Sequence, residues 1–156
     1  AEAAARALTP ADLERTDLRG PEADAAASAV AAQPGVRAAL LQWQRDFGRT
    51  HGAVLDGRDI GTVVFPDARI KLFVTASAEE RARRRHLELA ARGTAADPAQ
   101  VLADLCARDE QDAARAVAPM KPAEDAVLID TTTLDADAAF ARAVEVVEGK
   151  MAGLAR

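Results

Sequence analysis

Two carboxylates and a guanidinium lie on one tight turn near the middle of the chain, in the run Asp56-Gly57-Arg58-Asp59. The apolar run 53–55 before it predicts a buried strand that ends at this turn. In open parallel sheets, ligands bind beyond the carboxyl ends of the strands, so a charged ligand could be held here. Asp-Gly is also an ordinary turn signal, and the pattern alone favours neither interpretation.

Arginines recur at helical spacing on two consecutive predicted helices. One face of the first helix carries Arg81, Arg84 and Arg85, and one face of the second carries Arg108 and Arg115 with Asp112 between them. An anion between the helices would offset the repulsion of like charges, because guanidinium groups match phosphate oxygens in pairs. One such helix alone favours a solvated face with an Arg108–Asp112 ion pair. Two of them, joined by a short loop, favour a phosphate clamp.

The elements that must position these residues alternate between strand and helix. Short apolar runs predict strands at 53–55, 70–74 and 126–129, with 63–65 as the weakest candidate because Pro66 follows it. Helical patterns are found at 1–8, from Thr9 onward, and at 21–33, 36–47, 77–91, 97–117 and from 135 onward. This alternation predicts an α/β fold with a parallel sheet.

Local signals predict where several helices begin and end. Thr9, Ser77 and Asp97 have the side chains of N-caps, and Ser77 is followed three residues later by Glu80, as in a capping box. Gly48 and Gly93 are predicted helix ends. The threonines at 131–133 are predicted to cap the last helix rather than to line a site.

The composition excludes several classes of protein. A net charge of −5 argues against a general nucleic-acid or membrane-surface binder, since phosphate polymers attract an excess of Lys and Arg. The single cysteine, Cys106, allows no internal disulfide and is typical of a reducing cytoplasm. Neither His51 nor His86 has a partner at ligand or triad spacing. The chain, at 156 residues, has the length of one domain.

Several motifs resemble, in order and spacing, those of bacterial cytidylate kinases. They are the runs 55–68, 71–77, 80–85, 108–112, 118–123 and 130–134, within a resemblance that covers about residues 18–150. The resemblance implies a three-layer fold like that of P-loop nucleoside-monophosphate kinases, with a parallel sheet. It also implies phosphoryl transfer from ATP to CMP or dCMP with Mg²⁺, in a protein that is usually monomeric and needs no nucleic acid or membrane.

The same resemblance implies a role for individual residues. Ser28, Arg37 and Asp59 match positions that recognise cytosine, and Arg58 matches one that holds the CMP phosphate. Arg108 and Asp112 match positions near the sugar, and Arg115 one that reaches the phosphates. Arg84 and Arg85 would belong to a helical lid over ATP, at roughly 81–115. Residues 1–34 would be the remainder of the CMP-binding helical region, and 35–156 the core domain.

One departure from the family concerns the phosphate loop G-x-x-x-x-G-K-[ST]. The sequence lacks this motif, and its single Gly-Lys pair, Gly149-Lys150, is followed by Met151. We therefore expect the first strand and phosphate loop to be missing from this chain, which would then be inactive alone. The alternatives are a non-catalytic nucleotide-binding domain and another nucleoside-monophosphate kinase.

Overall fold

The computed structural model of this chain describes residues 1–9, 11–12, 21–114 and 120–154. The chain divides into two compact units, Ala1–Leu55 and Asp56–Arg156, and each is described by itself. The predicted boundary between 34 and 35 lies inside the first unit and stays a prediction. The helix predicted from Thr9 falls largely on residues 13–20, outside the described ones.

The first unit consists of helices packed on one long helix. Its members are α1 (Glu2–Arg6), α2 (Pro21–Ala31) and α3 (Pro34–His51). Both α1 and α2 contact α3, whose Val36 and Ala39 are buried. Pro34 is in the first turn of α3, where the fixed φ of proline suits a helix and its missing N–H costs nothing.

The end of α3 lies further along the chain than the sequence predicts. The helix passes Gly48 and ends at His51, and its C-cap residue, Gly52, has a φ of 65° and donates its N–H to the Gly48 carbonyl. Glycine adopts this left-handed conformation without the steric penalty of a Cβ atom. The prediction of Gly48 as the helix end was therefore wrong.

Two predicted strands are absent from the described residues. The run 53–55 is irregular and Val54 is fully exposed, because none of the described strands pairs with it. The weaker candidate, 63–65, overlaps a π-helical turn at Ile60–Val64. Both predictions were wrong, since a strand needs a hydrogen-bonded neighbour as well as a suitable local sequence.

The second unit contains a parallel pair of strands, as predicted. β1 (Leu72–Thr75) and β2 (Val127–Asp130) are in register from Leu72 opposite Val127 to Thr75 opposite Asp130. Ile129 is buried in this unit. The helices are α4 (Ala78–Ala91), α5 (Pro98–Ala113) and α6 (Ala136–Leu154). α4 packs on α5, and α6 contacts β2.

The predicted N-caps of α4 and α5 are confirmed, but the full capping box of α4 is not, because the Ser77 N–H donates to Thr132 Oγ1 and not to Glu80. Ser77 Oγ accepts the N–H of Glu80 at 3.2 Å, and Asp97 Oδ1 accepts the N–H of Ala99 at 3.1 Å. Gly93, with a φ of 74°, follows the end of α4. α5 ends at Ala113, with Ala114 as its C-cap residue. The rest of the predicted helix, to 117, falls in residues 115–119, which lie outside the described part. The described helices include none with the length and apolar character needed to cross a membrane.

Candidate functional site

The charged turn Asp56–Asp59 is followed directly by the π-helical turn, which fixes its last residue. The carbonyl of Asp59 accepts the N–H groups of Val63 at 2.8 Å and Val64 at 3.2 Å. A Cβ atom on Gly57 would lie 2.9 Å from the Ile60 side chain, so this position favours glycine. The backbone that carries Asp59 is therefore held by its own downstream turn.

Arg58 extends from this turn to α5, where it forms an ion pair with Asp112. The Asp112 side chain is 1% exposed and both of its carboxylate oxygens are buried. A buried carboxylate requires a compensating cation, so Asp112 restricts where the guanidinium of Arg58 can lie. The Arg58 side chain is 43% exposed, so it is accessible from solvent. Two residues singled out from separate motifs meet here.

The ion pair predicted within α5 is not the one that forms. Asp112 pairs with Arg58 of the turn, whereas Arg108 is exposed and makes no hydrogen bond or ion pair within the described residues. The predicted Arg108–Asp112 pair was therefore wrong. Arg108 remains an open cation one helical turn from the buried carboxylate.

The three arginines predicted to share a face of α4 have three different partners. Arg81 donates to Asp109 Oδ2 at 2.7 Å and to the Ala76 carbonyl at 3.0 Å, and so joins α4 to α5. The hydrogen bond with Asp109 is the main reason why the pKa of Arg81 is raised. Arg85 pairs with Glu88 at 2.9 Å on its own helix. α4 therefore does not present these residues as one open cationic surface.

Arg84 links α4 to the segment that follows β2. Its guanidinium donates to Glu80 Oε1 at 2.8 Å, to Thr131 Oγ1 at 3.0 Å and to the carbonyls of Thr131 at 2.5 Å and Leu134 at 3.2 Å. Hydrogen bonds from Arg83 and then from Arg84 lower the pKa of Glu80 from 4.5 to about 2. The roles of Arg84 and Arg85 over ATP stay predictions.

The threonines after β2 connect the strand ends instead of capping α6. Thr131 Oγ1 donates to the Thr75 carbonyl at 2.9 Å, and Thr132 Oγ1 accepts the N–H of Ser77 at 2.9 Å. The side chain that accepts a first-turn N–H of α6 is that of Asp135, from Ala138 at 2.8 Å. The predicted cap at 131–133 was therefore wrong.

The other predicted site residues are not assembled by the described structure. Ser28 lies in α2 and Arg37, half-buried, lies in α3, both in the first unit. The description does not extend to the side chain of Ser28, and Arg115 lies outside the described residues. The assignments of these three residues stay predictions.

Sequence reasoning overlooked one cation, Lys71, whose side chain is 8% exposed and binds the exposed Asp125 at 2.8 Å. The sequence does contain a signal, since Lys71 interrupts the apolar run 70–74. Its partner could not have been identified from spacing. Within the described residues, no three His, Cys, Asp or Glu side chains are grouped so as to hold a metal ion.

Comparisons with known proteins agree on one family. The family model described as cytidylate kinase matches residues 3–149. A cytidylate kinase of Granulibacter bethesdensis is 63% identical over 143 residues, which are 92% of this chain and 68% of that protein. Cytidylate kinases of Cereibacter sphaeroides and Paramagnetospirillum magneticum are 60% and 59% identical, and each match covers 96% of this chain and 73% of the relative.

Proposed function

Since this chain belongs to the cytidylate kinase family, we propose that its full gene product transfers a phosphoryl group from ATP to CMP or dCMP, giving ADP and CDP or dCDP. The observation that carries the proposal is the ion pair between Arg58 and the buried Asp112. A guanidinium that is 43% exposed and paired with a buried carboxylate suits a phosphate site, because guanidinium groups match phosphate oxygens in pairs.

The acceptor nucleotide is proposed to bind beside the Asp56–Asp59 turn. Arg58 would hold the phosphate of CMP, while Arg108, exposed on α5, would bind near the sugar together with Asp112. The buried carboxylate of Asp112 restricts the position of Arg58, and through Arg58 it would align the phosphate with the sugar. Alignment of the reacting groups is the main contribution that a protein makes to phosphoryl transfer.

The base is proposed to be recognised by Asp59, with Ser28 and Arg37 as further predicted contacts. Cytosine carries an amino donor at N4, which a carboxylate accepts. Uracil presents an oxygen acceptor at the same position, so a carboxylate would repel it. Asp59 suits this task because its backbone is fixed by the turn at Ile60–Val64.

The transfer itself is proposed to be a direct in-line displacement. The phosphate oxygen of CMP is already an anion, so no residue has to act as a general base. Arg115, Arg84 and Arg85 are the residues proposed to supply positive charge to the phosphates of ATP. Mg²⁺ would neutralise charge on those phosphates, and it usually binds through them rather than through an all-protein site.

The test is ligand-dependent stability, which does not require turnover. The sample is the full gene product. Its thermal unfolding is followed in the presence of CMP, dCMP or UMP at equal concentrations. CMP at a hundred times its dissociation constant should add about 2.7 kcal/mol of stability. UMP should add much less, and Asp59→Asn should reduce this difference. Asp67→Asn, at an exposed position downstream, is the matched control.

Three other outcomes would count against the proposal. Equal stabilisation by CMP and UMP would contradict base recognition by Asp59, and stronger stabilisation by UMP would indicate another nucleoside-monophosphate kinase. Stabilisation by CMP without CDP formation, when ATP and Mg²⁺ are added, would favour a nucleotide-binding domain with no catalytic activity.

A further inference from the structure

Lys71 lies immediately before β1 with its side chain only 8% exposed. Its Nζ donates to both carboxylate oxygens of Asp125, each at 2.8 Å, and to the Pro66 carbonyl. These three acceptor oxygens, from two residues, match the three protons of the ammonium group. Lys71 therefore connects the segment before β1 with the segment that leads into β2.

The aliphatic part of the same side chain packs against the π-helical turn. A Cβ atom on Gly61 would lie 3.3 Å from Lys71 Cδ, 3.5 Å from Cγ and 3.8 Å from the Ala123 Cβ. The absence of a side chain at Gly61 thus leaves room for the stem of Lys71. Lys71 contacts the turn at Gly61. The carbonyl of Pro66, just beyond the end of the turn, accepts a hydrogen bond from the Lys71 ammonium group.

Main-chain hydrogen bonds connect the π-helical turn, which Lys71 contacts, to the charged turn Asp56–Asp59. The carbonyl of Asp59 accepts from Val63 and Val64, which belong to the π-helical turn that Lys71 supports. A displacement of Gly61 or Pro66 would therefore displace the backbone of Asp59 and Arg58. Because Asp125 is exposed, its ion pair with Lys71 contributes little stability, and the value of the arrangement is geometric.

We propose that Lys71 is a positioning residue, which holds the Asp56–Asp59 turn in the orientation needed to bind the acceptor nucleotide. The inference rests on the proposed function, since it assigns Lys71 to the CMP side of the reaction. Lys71 acts through the turn and does not itself contact the nucleotide.

The experiment compares Lys71→Met with the wild type, each as the full gene product, by measuring KM for CMP and for ATP and the kcat. Met keeps the length of the stem but removes the ammonium. We expect KM for CMP to rise by about tenfold to a hundredfold, because displacement of a binding group by about 1 Å can cost that much. KM for ATP should stay within about twofold of the wild type, since the turn is proposed to bind the acceptor only.

Two further variants keep the test decisive. Gly61→Ala retains the ammonium but pushes on the stem of Lys71, and it should also raise KM for CMP. Arg69→Met removes a nearby exposed cation and should leave both KM values unchanged. If Lys71→Met does not fold, the Gly61→Ala result decides.

The outcomes separate this inference from the proposed function. A wild type that does not accept CMP would overturn both. A wild type that accepts CMP, with variants in which KM for CMP is unchanged or rises together with KM for ATP, would overturn only the positioning role of Lys71.

Discussion

Replacement of Arg84 by Met should destabilise the second unit, because Arg84 donates hydrogen bonds that join α4 to the segment after β2. The substitution removes three donations to Thr131 and Leu134. Thr131 is 4% exposed, so water cannot readily take over as donor. Met keeps most of the aliphatic packing of Arg84, which limits the change to the guanidinium.

The expected magnitude follows from the number and exposure of these bonds. Hydrogen bonds from a charged donor contribute about 1.5–3 kcal/mol each when they are well buried. The Arg84 side chain is 39% exposed, so solvent screening reduces the three together to about 2–3 kcal/mol. For a domain of this size, such a loss lowers Tm by about 4–12 °C.

The assay is chemical denaturation of the wild type and of two variants, followed by circular dichroism. Arg83→Met is the matched control, since Arg83 is the adjacent residue, is 61% exposed and pairs with Glu80 of the same helix. It should change the free energy of unfolding by no more than about 0.5 kcal/mol. An Arg84→Met variant that is no less stable than Arg83→Met would refute the reasoning.

Three further predictions concern single side chains of the same unit. Because the pKa of Glu80 is lowered to about 2, its ionisation adds stability above pH 4.5 that is lost as the pH falls towards 2. Glu80→Gln should remove this contribution, so the difference in unfolding free energy from the wild type should be larger at pH 5 than near pH 2. Ser77→Ala removes the N-cap of α4 and should cost about 1 kcal/mol in urea denaturation, and a cost near zero would show that the cap is dispensable. Gly93→Ala should lower Tm because alanine is strained at a φ of 74°, whereas Gly149→Ala within α6 should raise it; equal shifts would contradict this argument.

Features determined by neighbouring residues could be predicted from the sequence. The caps at Ser77 and Asp97 involve partners two or three residues away, and the structure has both. The strands β1 and β2 were predicted because β-branched apolar runs are bounded by turn residues. The run 53–55 carries the same signal but has no pairing strand in the described structure, and that information is not local.

The end of α3 could not be predicted from the positions of its glycines alone. A glycine inside a helix costs only about 1 kcal/mol, so Gly48 did not stop the helix. Gly52 did, because it adopts a positive φ.

In the candidate site, the sequence predicted the important residues but not which of them pair with each other. Arg58 and Asp112 were both singled out, yet helical spacing favoured Arg108 as the partner of Asp112. The pair that forms joins two separate elements. Because the carboxylate is buried, the loss of its cation would leave an uncompensated charge in the protein interior. Similarly, Thr131 was predicted to cap a helix, whereas its hydroxyl is used between strand ends.

The exposed irregular segment after α3 also has a consequence for handling the protein. Proteases bind their substrates as extended chains, so they cut exposed irregular segments in preference to helices and strands. Gly52, Ala53 and Val54 are exposed and irregular, and they lie at the boundary between the two compact units. An elastase, which cleaves after small apolar residues, should therefore first produce two fragments that meet near Val54. The fragment from residue 55 onward would keep the charged turn, β1, β2 and α4 to α6 on one polypeptide.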